Sequence, residues 1–212
     1  MQLIIESYQA QVARWPRAGR HILAQFDGDS IVVYQAYRAS IGRFAAENGY
    51  FGGEFSLTRM SWIKPNFLWM MYRCGWGAKA EQETVLAIRL RRTGFDEILA
   101  QSVPSRFNPA LYATQAEFDD ALARSSVRLQ WDPDRDPSGA PVERRAIQLG
   151  LRGEVLRCYA RSWIVDIEDI SPFVAEQRVH AQHNNCQRLM MPREAVYPVT
   201  DADVARRLCL SG

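Results

Sequence analysis

The hydrophobic and polar positions divide the chain into short strands and helices in mixed order. β-branched and aromatic residues after the turn Asp27-Gly28-Asp29 predict a strand over Ile31–Tyr37. Apolar residues on one face, followed by a glycine, predict a helix over Ser40–Asn48. Further elements are predicted in the same way: strands over Thr84–Leu90, Val127–Trp131, Arg145–Leu151 and Ile164–Ile170, helices over Phe67–Arg73, Gln115–Ala123, Glu154–Trp163 and Asp201–Leu210, and a short turn or helix over Thr93–Ala100.

Two segments have a weaker pattern. Residues 1–29 combine an apolar run at Leu3–Ile5, typical of a strand, with weak helical spacing over Val12–Phe26. The polar run Asp132–Pro141 predicts an exposed loop. Because strands and helices are mixed without a repeated unit, the sequence predicts an α+β fold with a mixed, mostly antiparallel sheet and short flanking helices.

Length and composition are those of an ordinary globular chain. The 212 residues are 47% hydrophobic and 24% charged, which predicts one domain over 1–212 with a substantial core. We expect residues 1–29 to pack on that domain as an N-terminal extension. The net charge of +2 is too small to argue for nucleic-acid binding by itself.

The cysteines and apolar runs predict a cytoplasmic protein. The four cysteines, Cys74, Cys158, Cys186 and Cys209, are widely spaced, which favours reduced thiols over a disulfide framework. The first residues lack the pattern of a signal peptide, and no apolar run approaches the ~20 residues that span a bilayer. No membrane partner is therefore predicted, and the oligomeric state is left open.

The segment Ser56–Lys79 concentrates unusual residues. It holds three of the six tryptophans, and it holds Lys64 and Lys79, the two lysines among 26 basic residues. A lysine ammonium fits a narrow pocket and pairs as a point charge, which a guanidinium does not. The segment is therefore a candidate functional site.

The chemistry of this segment suits a planar, anionic ligand. Trp62 or Trp69 offers a flat face for a base or a nicotinamide. Lys64 and Arg73 supply positive charge for a phosphate or a carboxylate. The alternative is that Phe67–Met71 is a core helix and the aromatic residues only fill space.

Polar residues on the predicted strands give further candidates. Gln35 and Tyr37 share one face, and a buried Gln35 needs hydrogen-bond partners that either the backbone or a ligand supplies. Gln130-Trp131-Asp132 ends a strand, where it lines a pocket mouth or simply enters a turn.

Motifs for other chemistries are weak or missing from the sequence. His180, His183 and Cys186 fall near one helical face, but their spacing matches no standard zinc site, so a polar surface segment is the preferred interpretation and no metal is expected. The sequence has no GxSxG, P-loop or GxGxxG motif.

Longer stretches carry a family resemblance. YQAY, FSLTRMSWIKPNFLWMMYRCGW, VLAI, VRLQWDPDRD, RRAIQLGLRG and LMMPREAVYP resemble the bacterial and fungal family catalogued as domain of unknown function 4291. The resemblance runs from about Ile31 to Pro198 and implies that residues 31–198 form the family core. It implies no settled activity.

The order of elements also resembles the ADP-ribosyltransferase fold. That resemblance implies NAD or another nucleotide as the ligand. Matched by order, Gln35 takes the first position, which carries His or Arg in that superfamily, and Ser61 or Trp62 takes the middle position. Gln148 takes the late position, where it cannot act as a carboxylate.

Together these observations predict a nucleotide- or NAD-binding transferase of ADP-ribosyltransferase-like type, with nucleic acid as one candidate acceptor. Gln35, Lys64 and Gln148 are the candidate catalytic residues. The candidate ligand-binding residues are Tyr37, Arg38, Arg59, Ser61, Trp62, Trp69, Arg73, Lys79 and Trp131. The alternatives are a non-catalytic module that binds single-stranded RNA or DNA, since bases stack on exposed aromatic residues, and a structural domain whose tryptophans are core.

Overall fold

Two β-sheets meeting along one edge form the framework of the chain, in a computed structural model that describes residues 3–182 and 186–211. In these residues the strands are β1 (Ile5–Ser7), β2 (Gly19–Arg20), β3 (Leu23–Ala24), β4 (Ser30–Tyr37), β5 (Ser61–Ile63), β6 (Thr84–Arg91), β7 (Ser102–Pro104), β8 (Val127–Arg135), β9 (Pro141–Leu151), β10 (Ile164–Asp169), β11 (Met190–Pro192) and β12 (Ala195–Val196). The helices are α1 (Tyr8–Val12), α2 (Ala39–Asn48), α3 (Phe67–Cys74), α4 (Arg92–Ala100), α5 (Gln115–Arg124), α6 (Gly153–Arg161), α7 (Ser171–Gln182) and α8 (Ala202–Arg207).

The first sheet has three antiparallel strands in the order β10-β6-β4. The second is centred on β9, which pairs along one edge with β8 and along the other with β2 and β5. β7 adds a short parallel edge to β8. Most pairings are antiparallel, so the predicted α+β class with a mixed, mostly antiparallel sheet is confirmed.

The two sheets are joined where β5 ends. Lys64, the residue after β5, makes an isolated antiparallel bridge with Tyr34 of β4. The Tyr34 amide donates to the Lys64 carbonyl at 2.7 Å, and the Lys64 amide donates back at 3.3 Å. Since β5 also pairs with β9, this segment brings the side chains of β4, β5 and β9 to one place.

Alternation along β4 divides the core into two clusters. Ile31 and Val33 face a cluster that includes residues of β6, β8, β9, α4 and α6. Val32 and Tyr34 face a second cluster, formed with α3 and parts of α7 and β11. Both faces of β4 are therefore buried, and this fixes the register of the strand at the junction.

One expectation from the sequence is wrong. The run Asp132–Pro141 is not an exposed loop throughout, because β8 continues to Arg135 and β9 begins at Pro141. The ambiguous segment Val12–Phe26, whose weak helical spacing is broken at Pro16 and Gly19, forms no helix after Val12, where α1 ends, and the chain then enters the short strands β2 and β3. In both places pairing with a distant strand, which the local pattern does not reveal, decides the conformation.

The helices within the described ranges are too short or too polar to cross a lipid bilayer.

Candidate functional site

A cavity of about 690 Å³ opens over the junction of the two sheets. It is larger than two further cavities beside Trp15, of about 360 Å³ and 450 Å³. Its lining comes from β4, β5, α3, β8 and β9, together with the segment before β5. The cavity is therefore shaped by elements that are far apart in the sequence.

Gln35 lies at the floor of the cavity in a complete hydrogen-bond network. Its Oε1 accepts from the Tyr159 hydroxyl at 2.6 Å, and its Nε2 donates to Ser61 Oγ at 2.8 Å and to the Trp62 carbonyl at 3.1 Å. The Tyr37 hydroxyl lies 2.8 Å from Ser61 Oγ. Desolvation raises the pKa of Tyr159 well above its usual value, so that hydroxyl stays protonated and donates. Gln35 thus needs no ligand for its hydrogen bonds, and it orients Ser61.

Trp62 forms part of the wall above this floor. Trp62 is paired with Gly150 across β5 and β9, and its side chain is only half-buried. A Cβ at Gly150 would lie 2.9 Å from the indole and 2.7 Å from Met60 Sδ, so only glycine leaves room for both side chains. The close packing over Gly150 fixes one side of Trp62 and leaves the other toward the cavity.

Lys64 is buried beside the cavity, with 6% of its surface exposed. Its Nζ donates to the Trp62 carbonyl at 3.4 Å, and no carboxylate of the described residues lies within ion-pair distance of it. Desolvation, with a smaller repulsion from Arg73, lowers the pKa of Lys64 from 10.5 to about 8. Cys74 and Asp132 partly oppose this shift.

Helix α3 forms the opposite wall and has well-defined ends. The Asn66 side chain caps it by accepting from the Trp69 amide at 2.7 Å, and the buried Glu194 accepts from the Phe67 amide at 2.6 Å. The helix ends at Gly75, whose φ of 57° lies in the left-handed region. The ends of α3 therefore fix which side chains it presents to the cavity.

The sequence allows this helix to be either a wall of a ligand site or part of the core, and its two faces correspond to these two interpretations. Phe67, Leu68 and Met71 are buried in the second core cluster. Trp69 and Arg73 line the cavity. Trp69 is only 4% exposed, and its Nε1 has no hydrogen-bond partner among the described residues.

Asp132, which the sequence places at either a pocket mouth or a turn, supplies a carboxylate to the cavity. It lines the cavity, with its Oδ1 accepting from Gln130 Nε2 at 2.8 Å and its Oδ2 from Gln148 Nε2 at 2.7 Å. Gln130 lies opposite Gln148 in the β8–β9 register, and Asp132 follows two residues later on the same face. Two amides thus hold the carboxylate in one orientation.

The rim of the cavity carries an exposed charge cluster. Arg38 donates to Glu54 at 2.8 Å and to Glu81 at 3.3 Å, and Ser40 also donates to Glu54, at 2.6 Å. All three charged residues line the cavity. Arg59 also lies on the rim and is exposed.

Comparison with known proteins gives a family. A family model described as Domain of unknown function (DUF4291) matches residues 21–197. The chain belongs to the DUF4291 family. No curated protein matches the sequence.

In this DUF4291 chain, ten of the twelve candidate residues line the one cavity: Gln35, Tyr37, Arg38, Arg59, Ser61, Trp62, Lys64, Trp69, Arg73 and Gln148. Lys79 and Trp131 lie outside it. Lys79 is exposed beyond α3, and the Trp131 indole donates to the Leu208 carbonyl at 3.0 Å. In β8 the residues on either side of Trp131 face the cavity, and Trp131 therefore faces away from it.

Two members of the His180, His183 and Cys186 set lie within the described residues, and neither of them, His180 or Cys186, lines the cavity. His183 lies outside the described residues. Within the described ranges, no three His, Cys, Asp or Glu side chains lie together as metal ligands would.

Proposed function

We propose that the cavity binds NAD or a related nucleotide and that the protein transfers a glycosyl group from it, as an enzyme of ADP-ribosyltransferase-like type. One observation carries the proposal. The positions implied by the resemblance to that fold, Gln35, Ser61 with Trp62, and Gln148, all line one cavity, although they lie on three different strands.

The walls suit the parts of such a ligand. Trp62, which is half-buried and lines the cavity, offers a stacking face for the nicotinamide or the base. Lys64 and Arg73 place two positive charges beside the cavity for the diphosphate. The volume of about 690 Å³ falls in the usual range for small-molecule sites.

In the proposed transfer reaction, the Asp132 carboxylate stabilises the charge that develops on the ribose. When the glycosidic C–N bond breaks, its electron pair leaves with the nicotinamide and positive charge develops on the ribose. A fixed carboxylate stabilises that charge. Gln148 cannot supply the carboxylate, but its amide donates to Asp132 on the neighbouring strand and holds it in place. A nucleophile on the acceptor then attacks the anomeric carbon.

The exposed rim favours a phosphate-bearing acceptor. Arg59 is exposed at the cavity, where it can contact a nucleic-acid backbone while Arg73 contacts the diphosphate. The same feature supports the second candidate, a module that binds single-stranded RNA or DNA without catalysis.

Titration and turnover test the proposal together. We expect NAD to quench tryptophan fluorescence saturably, Trp62→Leu to weaken that binding, and Trp131→Phe, which changes an indole outside the cavity, to leave it intact. Asp132→Asn should retain NAD binding and lose nicotinamide release, measured by chromatography with a labelled oligonucleotide as acceptor.

Absence of saturable binding by NAD and mononucleotides would count against the proposal. If oligonucleotide binding were then found to weaken steeply with salt, the second candidate would replace it.

A further inference from the structure

Lys64 is a buried primary amine without an ionic partner. It is 6% exposed, and its one hydrogen bond, to the Trp62 carbonyl, is long at 3.4 Å. An ammonium has three hydrogens to donate, and burying a charge without a counterion is costly. The Arg73 guanidinium on α3 adds repulsion. The surroundings of Lys64 therefore increase the fraction of neutral amine, the form that carries a nucleophilic lone pair.

Two other side chains of the cavity wall also have polar groups without partners among the described residues. Trp69, also lining the cavity, keeps a buried indole N–H without a partner among the described residues. Arg73 lines the same cavity and forms no ion pair within the described part of the chain. A small ligand with an anionic group could contact the guanidinium while its reactive end reaches Lys64.

We infer that Lys64 is a carbonyl-reactive amine that condenses with the aldehyde or ketone group of a small anionic ligand to form an imine. The neutral Nζ attacks the carbonyl carbon and a C–N bond forms. The carbonyl oxygen takes up a proton to give a carbinolamine, and the nitrogen loses one. The hydroxyl then takes up a proton, the C–O bond breaks and water leaves, while the nitrogen lone pair forms the C=N bond and the nitrogen releases its remaining proton. The step needs no oxidant or reductant.

The ionisation of Lys64 supports this inference. Desolvation and Arg73 lower its pKa to about 8, against the opposing effects of Cys74 and Asp132. About a tenth of the amine is then neutral at pH 7, compared with less than a thousandth for a lysine of ordinary pKa near 10.4. A desolvated lysine next to another cation is a recognised arrangement for Schiff-base chemistry.

The chain provides its own control, because Lys79 is its other lysine and is exposed. The probe is pyridoxal 5′-phosphate, a planar aldehyde with a phosphate, followed by borohydride reduction and peptide mapping. We expect Lys64 to be labelled at least about tenfold faster than Lys79 at pH 7. The Lys64 rate should fall as pH is lowered from 8 to 6. Lys64→Arg should remove this label, and Lys79→Arg should leave it unchanged.

Equal labelling of the two lysines, or labelling of Lys79 alone, would overturn the inference. The unmodified chain gives this ratio, so the test holds even if Lys64→Arg does not fold. Pyridoxal without the phosphate should label Lys64 more slowly, and an equal rate would contradict the anionic ligand. NAD titration is independent of labelling: binding of NAD without Lys64 labelling contradicts this inference alone, and labelling without NAD binding contradicts the proposed function alone.

Discussion

Two buried cations in this chain have opposite surroundings. Arg144 on β9 is 5% exposed, and its guanidinium donates to Asp134 at 2.6 Å and 2.8 Å and to the Pro16 carbonyl at 2.7 Å. It also lies 5.0 Å from the centre of the Trp15 ring. Lys64 is buried to a similar extent but has one contact of 3.4 Å.

The difference separates a structural charge from an available one. Arg144 and Asp134 use their charges to join β8, β9 and the N-terminal segment, so the Arg144 charge already has a counterion within the fold. Lys64 keeps unused donors beside a cavity, and the fold pays for its burial without gaining an ion pair. The burial of a charged residue therefore distinguishes a structural role from a ligand-binding role only when its hydrogen-bond and ion-pair partners are also counted.

The largest effect is expected from removing the paired cation. Arg144→Ala leaves the Asp134 carboxylate buried without its partner, which typically costs about 3–5 kcal/mol. We expect the free energy of unfolding, measured by urea denaturation, to fall by about that amount.

Two variants control this measurement. Arg145→Ala changes the neighbouring arginine, whose side chain is exposed, and should leave the urea midpoint nearly unchanged. Combining Arg144→Met with Asp134→Leu removes both charges and should recover much of the lost stability. If Arg144→Ala were as stable as Arg145→Ala, the contrast with Lys64 would be lost.

Removing the unpaired cation, Lys64, should have the opposite effect on the free energy of unfolding. Lys64→Met keeps the apolar stem and removes a costly charge, so the free energy of unfolding at pH 7 should rise, by about 1–3 kcal/mol. Affinity for NAD, measured by titration, should fall because one phosphate-binding charge is gone. Lys79→Met, at the exposed lysine, should change neither quantity. A destabilised Lys64→Met variant would show that the lysine has a structural role after all.

The gain from Lys64→Met should depend on pH. The folded-state pKa of about 8 lies below the unfolded value of 10.5, so between them the unfolded chain binds more protons. The stability penalty of Lys64 is then fully present below pH 8 and decreases as pH rises toward 10.5. The gap in free energy of unfolding between wild type and Lys64→Met should shrink by about 1 kcal/mol per pH unit in this window. Urea curves of both proteins at pH 7, 8, 9 and 10 measure it, and a constant gap would contradict a lowered pKa.

Local patterns predicted most of the central elements because their signals are short-range. A run of β-branched and aromatic residues after a turn located β4, and the start after Pro65 with a stop near Gly75 located α3. The strand β5 is only three residues long, and its identity depends on pairing with β9 and on the bridge from Lys64 to Tyr34. Such pairing over long sequence separation does not appear in local composition.

The candidate site shows the same division between features with a local sequence signal and features that depend on long-range contacts. The rare lysines and clustered tryptophans indicated part of the cavity wall, which includes Lys64, Trp62 and Trp69 but not Lys79. Asp132 was considered as part of a pocket mouth but left out of the candidate site residues, because an Asp-Pro pair predicts a turn, whereas β8 continues through it. The capping of α3 by Glu194 joins residues far apart in sequence, and only the folded chain brings them together.

The smallest effect is expected at the rim, where Arg38 is paired but exposed. Its partners Glu54 and Glu81 lie in solvent, so the pairs are weak and are screened by salt. Arg38→Gln should leave the urea midpoint unchanged. It also leaves two carboxylates unpaired beside the cavity, so NAD should bind about twofold to fivefold more weakly at low salt. This difference should disappear at high salt, whereas the loss in Lys64→Met should persist because that charge is buried. Titrations of both variants at two salt concentrations make the comparison, and a loss in Arg38→Gln that resisted salt would place Arg38 among the ligand contacts.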